Sequence, residues 1–398
     1  MAWLRDTAFA VFSRDAAGLL IAGLAAALFW GLALAVSGAP RQALIGCGAV
    51  LALALALASL RHLLALARVR RTNLAPGRML DLGGYRVHLL AEGPTQADRP
   101  PVVWFAGGHA SGFAIHHLHR ALRSETRSIL IDRPGTGWSD AGPFPRSTAR
   151  EAEEMIAAVE HSGERGPFVW AGHSFGGLLV ANIARRRPDL VHTLVLLDPT
   201  PLETIVFGPR LAALGDMRRT AWLGGFAQLF GINLLQRHEA RMRQNPVYAK
   251  ALDATHATLG PEVAAARQVE ANAANFFTQA SIYRELSPEG VAACAWNTVV
   301  YDRDLGALPV WLVAPKDDTD NDIATLPEAQ AGSADNARRM FAFFAATRER
   351  YLATSSNSRR IVAPKGSGHN FVYEHPQWTA DVMRAVVCGT PLPETAKD

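Results

Sequence analysis

Phe168-Val169-Trp170-Ala171-Gly172-His173-Ser174-Phe175-Gly176-Gly177 is the stretch that decides how this chain folds. Four apolar residues run into a G-x-S-x-G turn and residues 178–187 then read as a helix, so the segment is strand, sharp turn and helix with a serine at the tip. A turn this tight holds the serine in a strained backbone conformation. Glycines two before and two after it let the strand and helix backbones pass closely. The pattern is short enough to arise by chance in a glycine-rich turn; the strand before and the helix after are what mark it as a nucleophile elbow.

Working outward, strands alternate with helices. Residues 79–82 and 85–90 read as a hairpin around Gly83-Gly84. Residues 102–106 and 128–132 are continuous apolar runs of the kind that suits strands covered on both faces. Helices are expected at 114–122 and at 147–162, the latter with Thr148 and Glu151 at capping-box spacing. Residues 193–197 supply the strand after the elbow. From 200 to about 306 the rhythm changes to successive helical stretches, including 246–258 and 261–286, and strands resume at 309–314 and 360–363. A helix near 334–352 separates those two strands, and residues 376–387 close the chain as another. This order points to a mainly parallel α/β sheet with a block of helices inserted into it.

A serine hydroxyl is a weak nucleophile near neutral pH and needs a base within hydrogen-bond reach, itself oriented by a third group. His369, on the glycine-rich loop Gly366-Ser367-Gly368 after the last strand, is the expected base. The chain order serine, acid, histidine places the acid after the strand 309–314, where Asp318 is preferred and Asp317 comes second. Asp198, just past the strand that follows the elbow, is a third candidate. An oxyanion would be held by the backbone N–H of Phe175 and by the turn after residues 102–106, with Gly108 favoured and His109 the alternative. Trp222, Phe226, Phe230, Phe276 and Phe277 are candidates for an apolar acyl pocket, although aromatic residues in helices more often form plain core. His116, His117 and His119 lack a completing ligand at a recognised spacing, so no metal site is expected. His173 is expected to pack behind the elbow, and His375 to start the closing helix.

With these residues in place the chain resembles the α/β-hydrolase superfamily, in particular serine hydrolases of its esterase and proline-iminopeptidase-like branch. The matching motifs are Ala106-Gly107-Gly108-His109, Asp132-Arg133-Pro134-Gly135-Thr136-Gly137-Trp138-Ser139, the elbow, Leu197-Asp198-Pro199 and Gly368-His369. The resemblance implies an eight-stranded sheet, a helical cap inserted after the sixth strand, and no cofactor. Gly107-Gly108 replaces the family's common His-Gly, and Pro315 stands where a glycine usually precedes the acid loop. Relatives that use an aspartate at the elbow, the epoxide hydrolases and haloalkane dehalogenases, are disfavoured by Ser174.

The amino-terminal segment differs from the rest. Residues 16–40 and, Arg41 apart, 42–60 carry no charge, and each run is long enough to cross about 30 Å of hydrocarbon as a helix. Residues 37–41 make the turn between them. Arg5 and Arg14 precede the first run, Arg41 lies between, and Arg61, Arg68, Arg70, Arg71 and Arg78 follow the second, which predicts both ends of the hairpin, and a catalytic domain, on the cytoplasmic side. The net charge of +4 over 398 residues is not gathered into a basic run with aromatics, which argues against nucleic acid as a partner. Cys47, Cys294 and Cys388 share no ligand or disulfide spacing. The expected organisation is a membrane hairpin over 1–75, hydrolase core over 76–200 and 307–398, and a cap over 201–306. The expected activity is cleavage of a carboxylic ester, with amidase, peptidase or acyltransferase chemistry as alternatives on the same residues. An inactive membrane-tethered binding module is the alternative of another class.

Overall fold

The structure, a computed structural model, describes residues 2–200, 211–233, 260–285, 304–316 and 334–393, with a few isolated positions between 243 and 258. Three helices come first: α1 (Ala2–Phe12), α2 (Ala17–Leu34) and α3 (Ala39–Thr72). The turn between α2 and α3 is made by Gly38 at φ 68° with Pro40 in the first turn of α3, where its missing N–H costs no helix bond. α2 and α3 pack tightly on each other, since a methyl group at Gly48 would collide with the Phe29 side chain. Their outer surface is apolar: Leu24, Leu28, Leu34, Val50, Leu53 and Leu57 are all exposed. Both helices are long and apolar enough to cross a membrane.

The sheet follows. β1 (Arg78–Asp81) and β2 (Arg86–Glu92) form the antiparallel hairpin, and β2 pairs antiparallel with β4. In chain order come β3 (Val102–Phe105), α4 (His116–Leu122), β4 (Ser128–Ile131), α5 (Thr148–Ser162), β5 (Phe168–His173), α6 (Phe175–Arg186) and β6 (Val191–Leu197). Helices α7 (Leu211–Gln228), α8 (Pro261–Glu270) and α9 (Ala273–Glu285) precede β7 (Val310–Ala314). Then come α10 (Ala334–Ala353), β8 (Ser358–Val362), the single turn α11 (Phe371–Glu374) and α12 (Pro376–Cys388). The eight strands lie in the order β1-β2-β4-β3-β5-β6-β7-β8, parallel from β4 onward. This is the α/β-hydrolase fold that the sequence leads one to expect.

The central strands are buried on both faces, and their alternation sorts side chains into two cores. Val103, Phe105 and Trp170 join one core with α5 and α6, while Val102, Trp104 and Val169 join the other with α4 and α12. Each such side chain contributes about 2 kcal/mol through burial. The one polar atom of Trp104 is satisfied, its Nε1–H donating to Ser128 Oγ at 2.8 Å.

Local detail departs from expectation in three places. The N-cap of α5 is Ser147, whose Oγ accepts from the Arg150 N–H at 3.1 Å, one residue earlier than a Thr148 box would have it. Glu151 is instead buried beside Arg133 and Arg146. The helix expected over 261–286 breaks at Ala271-Asn272, because Asn272 Oδ1 takes the Asn275 N–H (3.0 Å) and so starts a new helix. The third departure is α1, which has no counterpart in the sequence reading. The helix expected over 246–258 lies almost wholly outside the described residues.

Candidate active site

β5 ends at His173, and Ser174 turns the chain into α6 with φ 54° and ψ −120°. For a non-glycine residue this backbone costs about 1–3 kcal/mol and persists only where its surroundings impose it. Here the flanking glycines make it feasible: a methyl group at Gly172 would collide with the Gly176 carbonyl, and one at Gly176 with the Phe105 carbonyl. The turn is further tied to β6, since the Ser174 N–H donates to Leu197 O at 3.1 Å and the Thr200 N–H to Ser174 O at 2.8 Å.

Parallel pairing of β5 with β6 sets His173 beside Leu197, so the residues that follow each strand emerge side by side. One is Ser174; the other is Asp198. Asp198 also has a left-handed backbone, φ 43°, and its N–H donates to Val313 O at 2.7 Å. His369, on the loop after β8, bridges the two: its Nδ1 lies 2.6 Å from Asp198 Oδ2 and its Nε2 3.0 Å from Ser174 Oγ. The carboxylate against His369 is therefore that of the third candidate. Asp318 and Asp317 lie outside the described residues.

Asp198 is anchored from its other side by Arg348 of α10, whose Nε and Nη2 donate to Oδ1 at 3.0 and 2.9 Å. Burial alone would raise the Asp198 pKa. The hydrogen bond and charge of His369, joined by Arg348, outweigh it and hold the group down at about 2. It is thus an anion at any working pH. His173 lies underneath, its Nε2 3.0 Å from the His369 carbonyl oxygen and its ring 4.9 Å from the His369 ring. Burial, reinforced by the charge of His369, pulls His173 down to about 3. A neutral His173 therefore donates to that carbonyl and fixes the backbone of the loop carrying His369.

The turn after β3 faces Ser174: a methyl group at Gly107 would stand 2.9 Å from Ser174 Cβ. Gly108 has φ 55° and its carbonyl accepts from Arg133 Nη2. The His109 carbonyl accepts from Asn275 Nδ2 of α9 at 3.3 Å, and the same amide reaches Gly135 O at 3.1 Å. With both carbonyls pulled away by side chains, the turn is held in a single orientation. The His109 ring is buried between Phe175 (5.2 Å) and Tyr283 (5.5 Å), and burial keeps it neutral, its pKa well below the ordinary value. Arg133 is 2% exposed, pairs with Glu151 at 3.4 Å and lies 5.3 Å over the Phe175 ring. Phe175 is the first residue of α6, where backbone N–H groups have no partner within the helix.

The aromatic residues considered for an acyl pocket are placed otherwise. Trp222, Phe226 and Phe277 pack with Phe9 and Phe12 of α1, with ring centroids 4.7 Å apart for Phe9–Trp222 and 5.0 Å for Phe12–Phe226. Phe230 joins the same cluster half-buried, and Phe276 is buried against Gly224. Trp222, Phe226, Phe230 and Phe277 thus form a core between α7, α9 and the amino-terminal helices. The three histidines of α4 do not converge: His119 bonds Glu92 and Ser128 at 2.9 Å each, and His117 the Val372 carbonyl at 2.8 Å. Among the described residues no group of metal-binding side chains is assembled.

Arg133, Asn275 and Arg348 were missed by sequence reasoning, since each acts across a long separation in the chain. Asp198 carried a signal: it closes a buried strand adjacent to the elbow strand, in Leu197-Asp198-Pro199.

A family model described as alpha/beta hydrolase family matches residues 102–382. The mouse (lyso)-N-acylphosphatidylethanolamine lipase is 31% identical over 110 residues, which cover 27% of this chain and 32% of that protein. A putative carbamate hydrolase, RutD, of Stutzerimonas stutzeri is 31% identical over 144 residues, 34% of this chain and 53% of that one. An uncharacterized vacuolar membrane protein of Saccharomyces cerevisiae is 30% identical over 109 residues, covering 25% of this chain and 16% of its own length. The chain thus spans about half or less of the curated relatives named here. Among solved structures, a thermophilic esterase from Thermogutta terrifontis superposes with TM-score 0.51 at 18% identity, covering 78% of this chain and 97% of that one. The enol-lactonase from Burkholderia xenovorans does so with TM-score 0.52 at 12% identity, covering 77% of this chain and 98% of that one. An esterase from Exiguobacterium antarcticum superposes with TM-score 0.52 at 14% identity, covering 78% of this chain and 99% of that one. At these identities the likeness is one of fold.

Proposed function

The chain belongs to the alpha/beta hydrolase family, and from that premise we propose that it is a serine hydrolase that cleaves carboxylic esters while anchored in a membrane by α2 and α3. The observation that carries the reading is His369, whose two ring nitrogens lie within hydrogen-bond distance of Ser174 Oγ and of Asp198. Ser174 Oγ attacks the ester carbonyl carbon as His369 Nε2 takes its proton. Asp198 accepts from Nδ1–H, fixing the tautomer and stabilising the imidazolium that forms. The backbone N–H groups of Gly108 and Phe175 hold the oxyanion, the latter at the positive end of α6. Collapse breaks the bond to the alcohol, which leaves with the proton from His369. A water then loses its proton to His369 and attacks the acyl-enzyme, releasing the acid and restoring Ser174.

Asp198 takes the acid's role here in place of Asp318 or Asp317, because register puts it beside the serine and the His369 bond is formed. The membrane part is supported by the exposed apolar surface of α2 and α3. The arginines after the apolar run, Arg61, Arg68, Arg70 and Arg71 in the last turns of α3 and Arg78 beyond it, favour the cytoplasmic side for the catalytic residues. A fluorophosphonate probe tests the reading: wild type should be labelled and Ser174→Ala should not. A wild-type protein that hydrolyses no ester and takes up no probe would overturn it.

A further inference from the structure

The carboxyl end of α7 reverses at Gly231, φ 76°: the Gly231 N–H donates to Gln228 O at 2.9 Å and the Ile232 N–H to Ala227 O at 3.0 Å. These are the paired bonds of a helix closed by a left-handed glycine, and they tie Ile232 to Ala227. Leu223 lies one helical turn before Ala227 on the same face. Leu223, Ala227 and Ile232 are thus neighbours, and the two large residues are 58% and 43% exposed.

The same turn touches the hairpin at a defined height. A methyl group at Gly18, in the first turn of α2, would stand 2.8 Å from the Leu229 carbonyl oxygen and 2.5 Å from Ser59 Oγ of α3. Gly231 faces the His62 side chain, and Ala17 and Ile21 share an apolar cluster with Leu229 and Phe230. Arg14 is the last basic residue before the apolar run of α2, and Arg61 the first after that of α3, so they mark the level at which the hairpin leaves hydrocarbon. Gly18 is one turn from Arg14, while Ser59 and His62 flank Arg61. The turn that carries Ile232 therefore sits at that boundary.

The joint continues to the catalytic residues. Asp15, between α1 and α2, pairs with Arg70 at 2.8 Å and accepts from the Ala273 N–H at the start of α9 at 3.3 Å. Asn275, which holds the His109 carbonyl, is two residues further along α9, a rise of about 3 Å. The oxyanion turn is thereby coupled to the hairpin at the depth of Asp15.

We propose that the α7 turn bearing Leu223 and Ile232 is seated in the interfacial layer of the bilayer, beside the point where the hairpin emerges. This rests on the membrane-anchored hydrolase reading above. Two exposed branched side chains held at the height where the hairpin emerges gain about 25 cal/mol for each Å² they remove from water, and lipid is what the hairpin brings to that level.

The test uses full-length protein with Cys47, Cys294 and Cys388 replaced by serine and one new cysteine labelled with an environment-sensitive fluorophore. The variants are Leu223→Cys, Ile232→Cys, Leu53→Cys on the exposed face of α3 and Glu153→Cys at an exposed position of α5. Each is reconstituted into phosphatidylcholine vesicles with and without brominated acyl chains. Labels at 223, 232 and 53 should be blue-shifted and lose most of their emission to bromine, and the label at 153 should not. Quenching at 53 but not at 223 or 232 overturns the proposal and leaves the anchor standing, whether water or another protein covers the turn. Absence of quenching at 53 overturns the anchor and this proposal together. Fluorophosphonate labelling of the same samples reports on Ser174 separately.

Discussion

The elbow and the joint between α1 and the cap place their side chains by opposite means. At the elbow the backbone does the work: glycines let carbonyls pass within contact distance, and the N–H groups of Ser174 and Asp198 are bonded to neighbouring strands. At the joint aromatic side chains fill the space, Phe9 and Phe12 against Trp222, Phe226 and Phe277. A site that must hold three groups to within tenths of an ångström is thus built on parallel strand ends. A contact that need only exclude water is built on rings, which tolerate adjustment. Damage to the first should appear in rate and damage to the second in stability.

The largest effect expected is that of Asp198→Asn, which leaves the geometry but reverses the tautomer preference of His369. It should lower kcat by about 10⁴-fold, while Asp318→Asn should stay near wild type. Equal losses in the two variants would return the acid's role to the loop after β7. Next, Phe9→Ala empties a position that is 1% exposed and should cost about 3–4 kcal/mol in denaturant unfolding, with ester kcat in the surviving folded protein nearly unchanged. A kcat loss as large as that of the elbow variants would erase the distinction between the two regions.

Glu270 provides a pH test on the cap side. Burial first, helped by the charge of Asp132 and opposed by the Gly137 N–H, pushes this carboxyl up to about 7. An acid with a raised folded pKa favours its neutral form in the fold. Its stability contribution is therefore complete below the ordinary value near 4.5 and is lost as pH rises through about 7. Glu270→Gln keeps an acceptor for Gly137 and should match wild type at low pH, then exceed it by up to about 3 kcal/mol above pH 8. A gain that does not grow with pH would contradict the burial argument. The smallest effect is that of Arg348→Met, which frees one oxygen of Asp198 while keeping the bond to His369. We expect roughly a tenfold fall in kcat/KM, about 1.4 kcal/mol, with thermal stability altered little.

Much of the site could be read in the chain because its rules are local. Strand, glycine, serine, glycine and helix must be contiguous for the elbow to exist, and His369 betrays itself by a glycine-rich loop after a strand. The acid was harder. Aspartates after β6 and after β7 satisfy the same order of serine, acid and histidine, and only register, Leu197 beside His173, decides which of them adjoins the serine. The aromatic residues of the cap look alike whether they line a cavity or meet a helix, and the helix they meet is separated from them by some 200 positions of sequence.

The alternation of strands and helices, the strained Ser174, the glycine-rich loop of His369 and the two apolar helices are all legible in the chain, since each follows from hydrophobic period or from the steric needs of a few adjacent residues. Only the folded chain shows that Asp198 faces His369, that Arg133 and Asn275 hold the turn after β3, and that α1 packs its aromatic residues against α7 and α9. Those contacts join segments far apart in the chain. Distance along a chain carries no information about proximity until the sheet has fixed which strand ends lie side by side.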